Sequence, residues 1–539
     1  MAASRYVHSN AFSFLGFLQH EVDTRTGMYT ATVDFPMLNA NALCGPTVPI
    51  NLTFNPMNLE DSGYGKGWNL NLSQFTPNDH MLTLSNGESF KVTGSGARPD
   101  IAEKKLDTFH FEEIGGGKYR VVYKSGLIET LTTVGSGSES VALPSLISAP
   151  TGHSVTLEYE SYQGKPCLKS ISDAYDQLLR IDRESDNLID IHVHPYAGSE
   201  GLPAATYKLM LVNREIREVV IPSPDNASWR FLYEPIRGFL CIKEVRTPVG
   251  GFESVKYLDP GHRFPDGAGR PNLPRVTRHL TDPGSNQPVM DVSFTYSDQN
   301  FLGNGAPITW ADDGLDNLFK APTTYTYWSR AEMMVDEQPV RTVTRTFNRF
   351  HLLTEELTRQ DDCIKRLNTR YYADDSKPFN QQPPQYQLPA SITTRWEMGN
   401  DPTQVRTETS SIAYDDFGNT IEETKIDGSR FIYSYFPKEG AGADCPADPE
   451  GFTRTLREKT VHPAPTGHGE APVLIIASAT RLCFLWMTRI WVNGWPSRPR
   501  RTCVLQEPGK ARSTPPTSLT RTRLTMRSCM GGRQSAPIR

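Results

Sequence analysis

Across residues 20–440 apolar and polar positions alternate in short runs, and each run is closed by Gly, Asp, Asn or Pro. That is the pattern of half-buried strands joined by tight turns. Val48-Pro49-Ile50-Asn51-Leu52-Thr53-Phe54 is one such run, and residues 81–92 hold two of them around Asn86-Gly87. Asn-Gly accepts the positive φ angles of a type I′ turn, so a hairpin of that kind is predicted there. Similar runs follow at 119–131, 154–159, 207–212, 230–233, 253–257, 292–296 and 341–347, and no helical period of ten or more residues competes with them. The predicted fold class is all-β: sequential antiparallel hairpins forming one large curved or spiralling sheet.

Aromatic residues close many of the runs, at Tyr233, Tyr257, Tyr296, Tyr325, Phe347, Tyr371, Tyr414 and Tyr435. Several of the gaps lie near 20–25 residues, and the longest are about twice that. Such spacing makes each unit one hairpin that cannot bury its apolar face alone and must stack on the next.

Composition narrows the class. At 539 residues the chain can bury a large core, and 41 Gly with 41 Pro suit a turn-rich protein. The cysteines, Cys44, Cys167, Cys241, Cys363, Cys445, Cys483, Cys503 and Cys529, form no C-x-x-C pair and no framework spacing, so reduced thiols are expected and zinc ribbons are not. Residues 1–20 lack the apolar run of a signal peptide, and no stretch reaches about 18 uninterrupted apolar residues, so neither Sec export nor a transmembrane helix is expected.

The net charge of −5 is unevenly spread: residues 476–539 hold twelve basic residues against one acid, Glu507. This Arg/Pro/Ser/Thr-rich text has neither strand alternation nor helical period and is expected to be unstructured. It reads as an out-of-frame continuation of an orderly acidic protein; a basic arm for nucleic acid and a natural linker are the alternatives. No nucleic-acid partner is expected unless that arm is genuine.

One repeat is clear. Ile412-Ala413-Tyr414-Asp415-Asp416-Phe417-Gly418-Asn419-Thr420-Ile421 ends a strand on Tyr414, offers Asp415 to close an Asx turn and Gly418 to take a positive φ, and starts the return strand at Ile421. A weaker copy at 171–181 keeps Tyr175-Asp176 without the glycine. Near the start stand Val22-Asp23-Thr24-Arg25-Thr26-Gly27-Met28-Tyr29-Thr30, then Gly45-Pro46-Thr47-Val48-Pro49-Ile50, then Gly63-Tyr64-Gly65-Lys66-Gly67-Trp68-Asn69-Leu70.

In wording and order these motifs resemble Rhs/YD-repeat polymorphic toxins, which are related to the B and C components of insecticidal toxin complexes; the resemblance covers residues 10–460, with Thr24 in place of the family's usual proline and Tyr64 in place of its phenylalanine. It implies a hollow, cocoon-like β shell around or carrying a C-terminal toxin, with Asp23, Arg25, Gly27, Gly63, Gly65, Gly67 and Trp68 as the N-terminal family motif and Tyr414, Asp415, Gly418 and Asn419 as the structural repeat motif. The expected organisation is a lead over 1–20, an N-terminal β domain over 21–150, a YD-repeat shell segment over 151–470 and the basic tail over 471–539. The family's autoproteolytic core and toxin are not in this text, so a truncated or frame-broken member is expected, with strands near Tyr433 and Tyr435 left unpaired. The implied partners are the remaining shell and toxin or another toxin-complex component. The implied setting is bacterial, synthesis in the cytoplasm and release by a dedicated secretion system.

Candidate chemistry is thin, and no catalysis and no cofactor are expected. Asp190-Ile191-His192-Val193-His194 puts Asp190, His192 and His194 on one strand face as weak metal ligands, the basis of a lesser alternative as a metal-dependent hydrolase; a polar strand face is the plainer reading. Glu355-Glu356 and Asp361-Asp362 are adjacent pairs that a strand would point to opposite faces, unlike glycosidase carboxylates. Gly94-Ser95-Gly96 lacks the setting of a nucleophile elbow, and Gly115-Gly116-Gly117 opens no helix that could cradle phosphate. Trp229, Trp328 and Trp396 could stack on sugar rings, which supports an alternative reading as a carbohydrate- or cell-surface-binding protein; packing between repeats is the competing one.

Overall fold

The computed structural model describes residues 8–11 and 21–477, apart from 59, 138–139, 323, 466 and 468–470. The basic text from 478 onward lies outside the described residues, and with it the expectation of an unstructured tail.

The fold is all-β and antiparallel, as the alternation predicts. From Phe109–Gly115 to Leu474–Ala477 every strand pairs antiparallel with the next in sequence, a meander without crossovers. A side branch of short strands, Gln74–Thr76, Met81–Thr83, Ser89–Thr93 and Asp100–Ile101, joins it where Phe75 pairs with Ala142 of Val141–Ser148. Helix among the described residues is limited to short 3-10 turns such as Leu318–Lys320. Before the meander stands a separate four-stranded sheet of Glu21–Val22, Tyr29–Asp34, Asn51–Phe54 and Trp68–Leu70. Its Tyr29, Leu52, Phe54 and Trp68 are fully buried and share one apolar cluster with Ile171, Ile191, Leu209, Phe231 and Val245 of the meander.

The strand-end aromatics have a specific place. Of the eight named above, Tyr233, Tyr257, Phe347, Tyr371, Tyr414 and Tyr435 each sit where the ladder skips one residue of the following strand. Tyr159 does the same opposite Leu168. The skipped residues are β-bulges, which bend the strand and strengthen its twist. Where the bulged residue is Ser145, Thr277 or Thr354, its hydroxyl donates to the carbonyl of Thr130, Lys256 or Thr346 across the ladder, at 3.1–3.2 Å.

The bulges are also tied to one another. Tyr159 Oη donates to the Pro144 carbonyl, Tyr233 to Ile216, Tyr257 to Ile242 and Tyr371 to Leu353, at 2.7–3.1 Å. Each acceptor is the residue facing the preceding bulge: Pro144 faces Leu131, Ile216 faces Leu211, Ile242 faces Tyr233 and Leu353 faces Phe347. Successive hairpins are thereby pinned at one level of the sheet.

Three expectations are corrected. Asn86-Gly87 does not form a type I′ turn: only Gly87 has positive φ, and Gly87 N donates to Leu84 O while Leu84 N donates to Glu88 O, a three-residue loop. Asn86 Oδ1 takes the Glu88 amide at 3.0 Å, which favours that loop. The primed two-residue turns are instead made by Asn213-Arg214 and Asp336-Glu337, both with positive φ. The strand Arg430–Tyr435 is not left unpaired, because Thr420–Thr424 flanks one side and Leu456–His462 the other. The latter strand returns after a loop in which Asp448 takes the amides of Glu450 and Phe452. It then pairs with Leu474–Ala477, so strand continues into the stretch assigned to the tail.

Candidate functional site

The N-terminal motif builds two tight loops. Asp23 is buried, and its Oδ1 accepts the amides of Arg25 and Thr26 at 2.7 Å, which closes the loop at Gly27 (φ +67°). Arg25 reaches out of it: Nε donates to the His351 carbonyl at 3.0 Å and the guanidinium lies over the Phe347 ring. In the second loop Asp61 Oδ1 accepts from Gly63 and Gly65, while Oδ2 pairs with Arg214 at 2.8 Å. Gly67 has φ +82°, and a Cβ there would stand 2.4 Å from the Phe54 ring, so only glycine lets the chain pass. Trp68 follows, fully buried, and its indole N–H donates to Tyr233 Oη at 2.8 Å. Tyr233 passes the bond on to Ile216, so the motif tryptophan is joined to the row of bulges.

The Tyr-Asp turn lies at a second junction. Asp415 Oδ1 accepts the amides of Phe417 and Asn419, at 3.0 and 2.8 Å, and Gly418 takes φ +76° facing Leu106. Tyr414 meets Tyr372 edge-on. Asn419 is buried, donates to the Thr453 carbonyl and accepts from Lys124 Nζ at 2.6 Å across 295 residues. Arg454, held by Asp448, donates to the Lys124 carbonyl, and His110 stacks on Phe452 at 4.1 Å. The turn therefore meets the first long hairpins of the meander: side chains close a seam between its beginning and its later strands.

The same turn recurs in disguise. In Phe347-Asn348-Arg349-Phe350-His351-Leu352, Asn348 Oδ1 accepts the amides of Phe350 and Leu352 as Asp415 does at its own turn. His351 N donates to Asn348 O, and His351 takes φ +61° where the other copy has glycine. A non-glycine residue there is strained by roughly 1 kcal/mol or more. His351 is held by a fully buried polar cluster: Nδ1 meets Tyr327 Oη, and Nε2 meets Asp316 Oδ2, both at 2.9 Å. Ser9 Oγ donates to the same Asp316 oxygen, and Asn10 Nδ2 donates to Glu103. Ser, His and Asp coincide here without the geometry of a nucleophilic triad, since Ser9 and Asp316 share one imidazole nitrogen. The cluster fastens residues 9–10 to the meander. Burial, with the Asp316 charge beside it, pushes the Glu103 carboxyl up to about 8.

The sequence-predicted ligands are not brought together. Asp190 and His192 share a strand face, with Asp190 on Lys208 and His192 between Thr206 and Asp182. His194 is beyond the end of Leu188–Val193, with φ +46°, so the expectation of three groups on one face fails because the strand ends too soon. Among the described residues no group of three or more His, Cys, Asp or Glu is arranged to hold a metal ion. Glu355 pairs with Arg366 and Glu356 with Arg345. In the weaker repeat the turn is closed by Asp173, which accepts from Tyr175 and Asp176, and Tyr175 is exposed. Trp229 packs against the main apolar cluster, while Arg330 covers Trp328 and Arg406 covers Trp396.

No family model and no curated protein matches the sequence. Among solved structures the chain is similar to the TcdB2-TccC3 complex, at 9% identity over 84% of this chain and 37% of that one, with a TM-score of 0.29. It is similar as well to TcdB2-TccC3 without its hypervariable C-terminal region, at 10% identity over 82% and 34% with a TM-score of 0.26. The Photorhabdus luminescens Tc holotoxin pore is a third, at 8% identity over 84% and 31% with a TM-score of 0.14. The chain spans about a third of the length of these structures.

Proposed function

We propose that this chain is a non-catalytic wall segment of an Rhs/YD-type β shell, which encloses or carries a toxin polypeptide. The observation that carries the reading is the row of bulges pinned to one another by tyrosine hydroxyls. A bulge repeated at one level in hairpin after hairpin curves a sheet in one sense, which is what a wall around a space requires. The N-terminal motifs support it, since their Arg25, Gly67 and Trp68 serve to lock a small sheet onto that wall. Asp190, His192, Glu355 and Glu356, candidates for chemistry, are each held in an ion pair. Its partners are then further wall segments and the toxin-bearing component, and its export belongs to a dedicated machine.

Electron microscopy of the purified chain tests the proposal. Particles with a curved wall bordering an open interior are expected. A solid globule without interior space would sink it, as would reproducible hydrolytic turnover abolished by His192→Ala.

A further inference from the structure

A groove of about 480 Å³ opens on the strands between Gln338 and Tyr414. The ladders fix what shares its face. Thr358 pairs with Lys365, Lys365 with Trp396 and Trp396 with Arg406, so these four form one cross-strand row over four neighbouring strands. Cys363 and Met398, opposite each other one pleat along, continue the same face. Arg341 joins them in the lining.

The charges are unbalanced. Arg406 is paired with Glu408, and Glu397, which also lines the groove, is held by Arg395. Arg341 and Lys365 are exposed and make no ion pair with a described residue. Trp396 is half-buried, with the Arg406 guanidinium on its ring and its remaining surface turned to the groove. Two cations without an ion pair among the described residues, beside an indole and the apolar Met398 on the same face, match a ligand that carries carboxylates and an apolar side chain together. Three strand spacings make the row about 14 Å long, the reach of about four extended residues. A neutral sugar could stack on the indole but would leave both charges uncompensated.

We propose that this groove binds an extended acidic peptide segment, with carboxylates on Arg341 and Lys365 and an apolar side chain against Trp396. The site is independent of the shell reading, because it needs neither a closed wall nor a cargo.

Fluorescence anisotropy with the full chain and a fluorescein-labelled hexapeptide of alternating Glu and Leu/Phe is the test. Saturable binding is expected, about tenfold weaker at roughly 500 mM than at roughly 50 mM salt. Lys365→Glu and Trp396→Ala should each weaken it about tenfold, and Trp396→Phe should restore most of the loss. Arg359→Glu is the control, since Arg359 is exposed and does not line the groove. The proposal is overturned by absence of saturable binding, by equal weakening in Arg359→Glu, or by full competition from a neutral hexasaccharide. Lys365→Glu changes an exposed residue, so a folding defect in the tryptophan variants would leave the test intact.

Discussion

Tyr257 donates its hydroxyl to the carbonyl of Ile242 at 2.7 Å, and Ile242 is the residue that faces Tyr233 at the neighbouring bulge. One side chain thus fixes the register of two hairpins. Burial holds the Tyr257 phenol far above its ordinary range, so the donor stays protonated at any ordinary pH.

Tyr257→Phe keeps the ring and removes the tether, leaving the Ile242 carbonyl short of a donor. A loss of about 1–3 kcal/mol is expected in urea unfolding, without change in the slope. An unaltered midpoint would mean that water replaces the hydroxyl at no cost.

Gly418→Val places a branched side chain at φ +76°, with its Cβ about 3.0 Å from Leu106. The backbone alone costs roughly 1–2 kcal/mol, and the seam with Lys124 should loosen. Faster amide exchange at residues 106–126 than in the parent chain is the signature; equal exchange would separate the turn from the seam.

Glu103 gives a pH dependence of defined sign. Its carboxyl is raised from 4.5 to about 8 by burial first and then by Asp316, with Asp313 adding to the rise and the Asp316 amide and Asn10 opposing it. The folded state holds the proton more tightly than the unfolded one, so the contribution is full below about 4.5 and lost as pH rises towards 8. The slope is about 1.4 kcal/mol per pH unit at most. Thermal melts from pH 5 to 8.5 should fall more steeply in the parent than in Glu103→Gln; parallel curves would remove Glu103 from the account.

His262 acts in the opposite direction. Burial, and then the Arg275 charge, depress it from 6.5 to about 3. The unfolded state takes up the proton first, so stability present above 6.5 drains away as pH falls towards 3. His262→Leu should flatten the acid limb of the same melts, and an unchanged limb would assign acid lability elsewhere.

The hairpin series was legible because strand alternation and turn residues are local signals. Tyr233, Tyr257 and Tyr371 could be singled out for the same reason, although only the ladders reveal that they stand at bulges. The turn at Phe347-Asn348 escaped notice because His351 fills the glycine position, a choice that makes sense only with Asp316 and Tyr327 around it. Ser9 and Asp316 lie 307 residues apart, and Lys124 and Asn419 lie 295 apart, so no periodicity could pair them. The face shared by Asp190 and His192 was predicted, and His194 was misplaced because alternation does not announce where a strand stops.

The bulges have a consequence for how such a chain changes length. In an ordinary meander a one-residue slip turns the whole strand's side chains to the wrong face. Here each of the hairpins at Tyr233, Tyr257 and Tyr371 carries its own bulge and its own fastening to the hairpin before it. A whole hairpin can therefore be gained or lost while those on either side keep their registers, and the sheet grows in discrete, interchangeable modules.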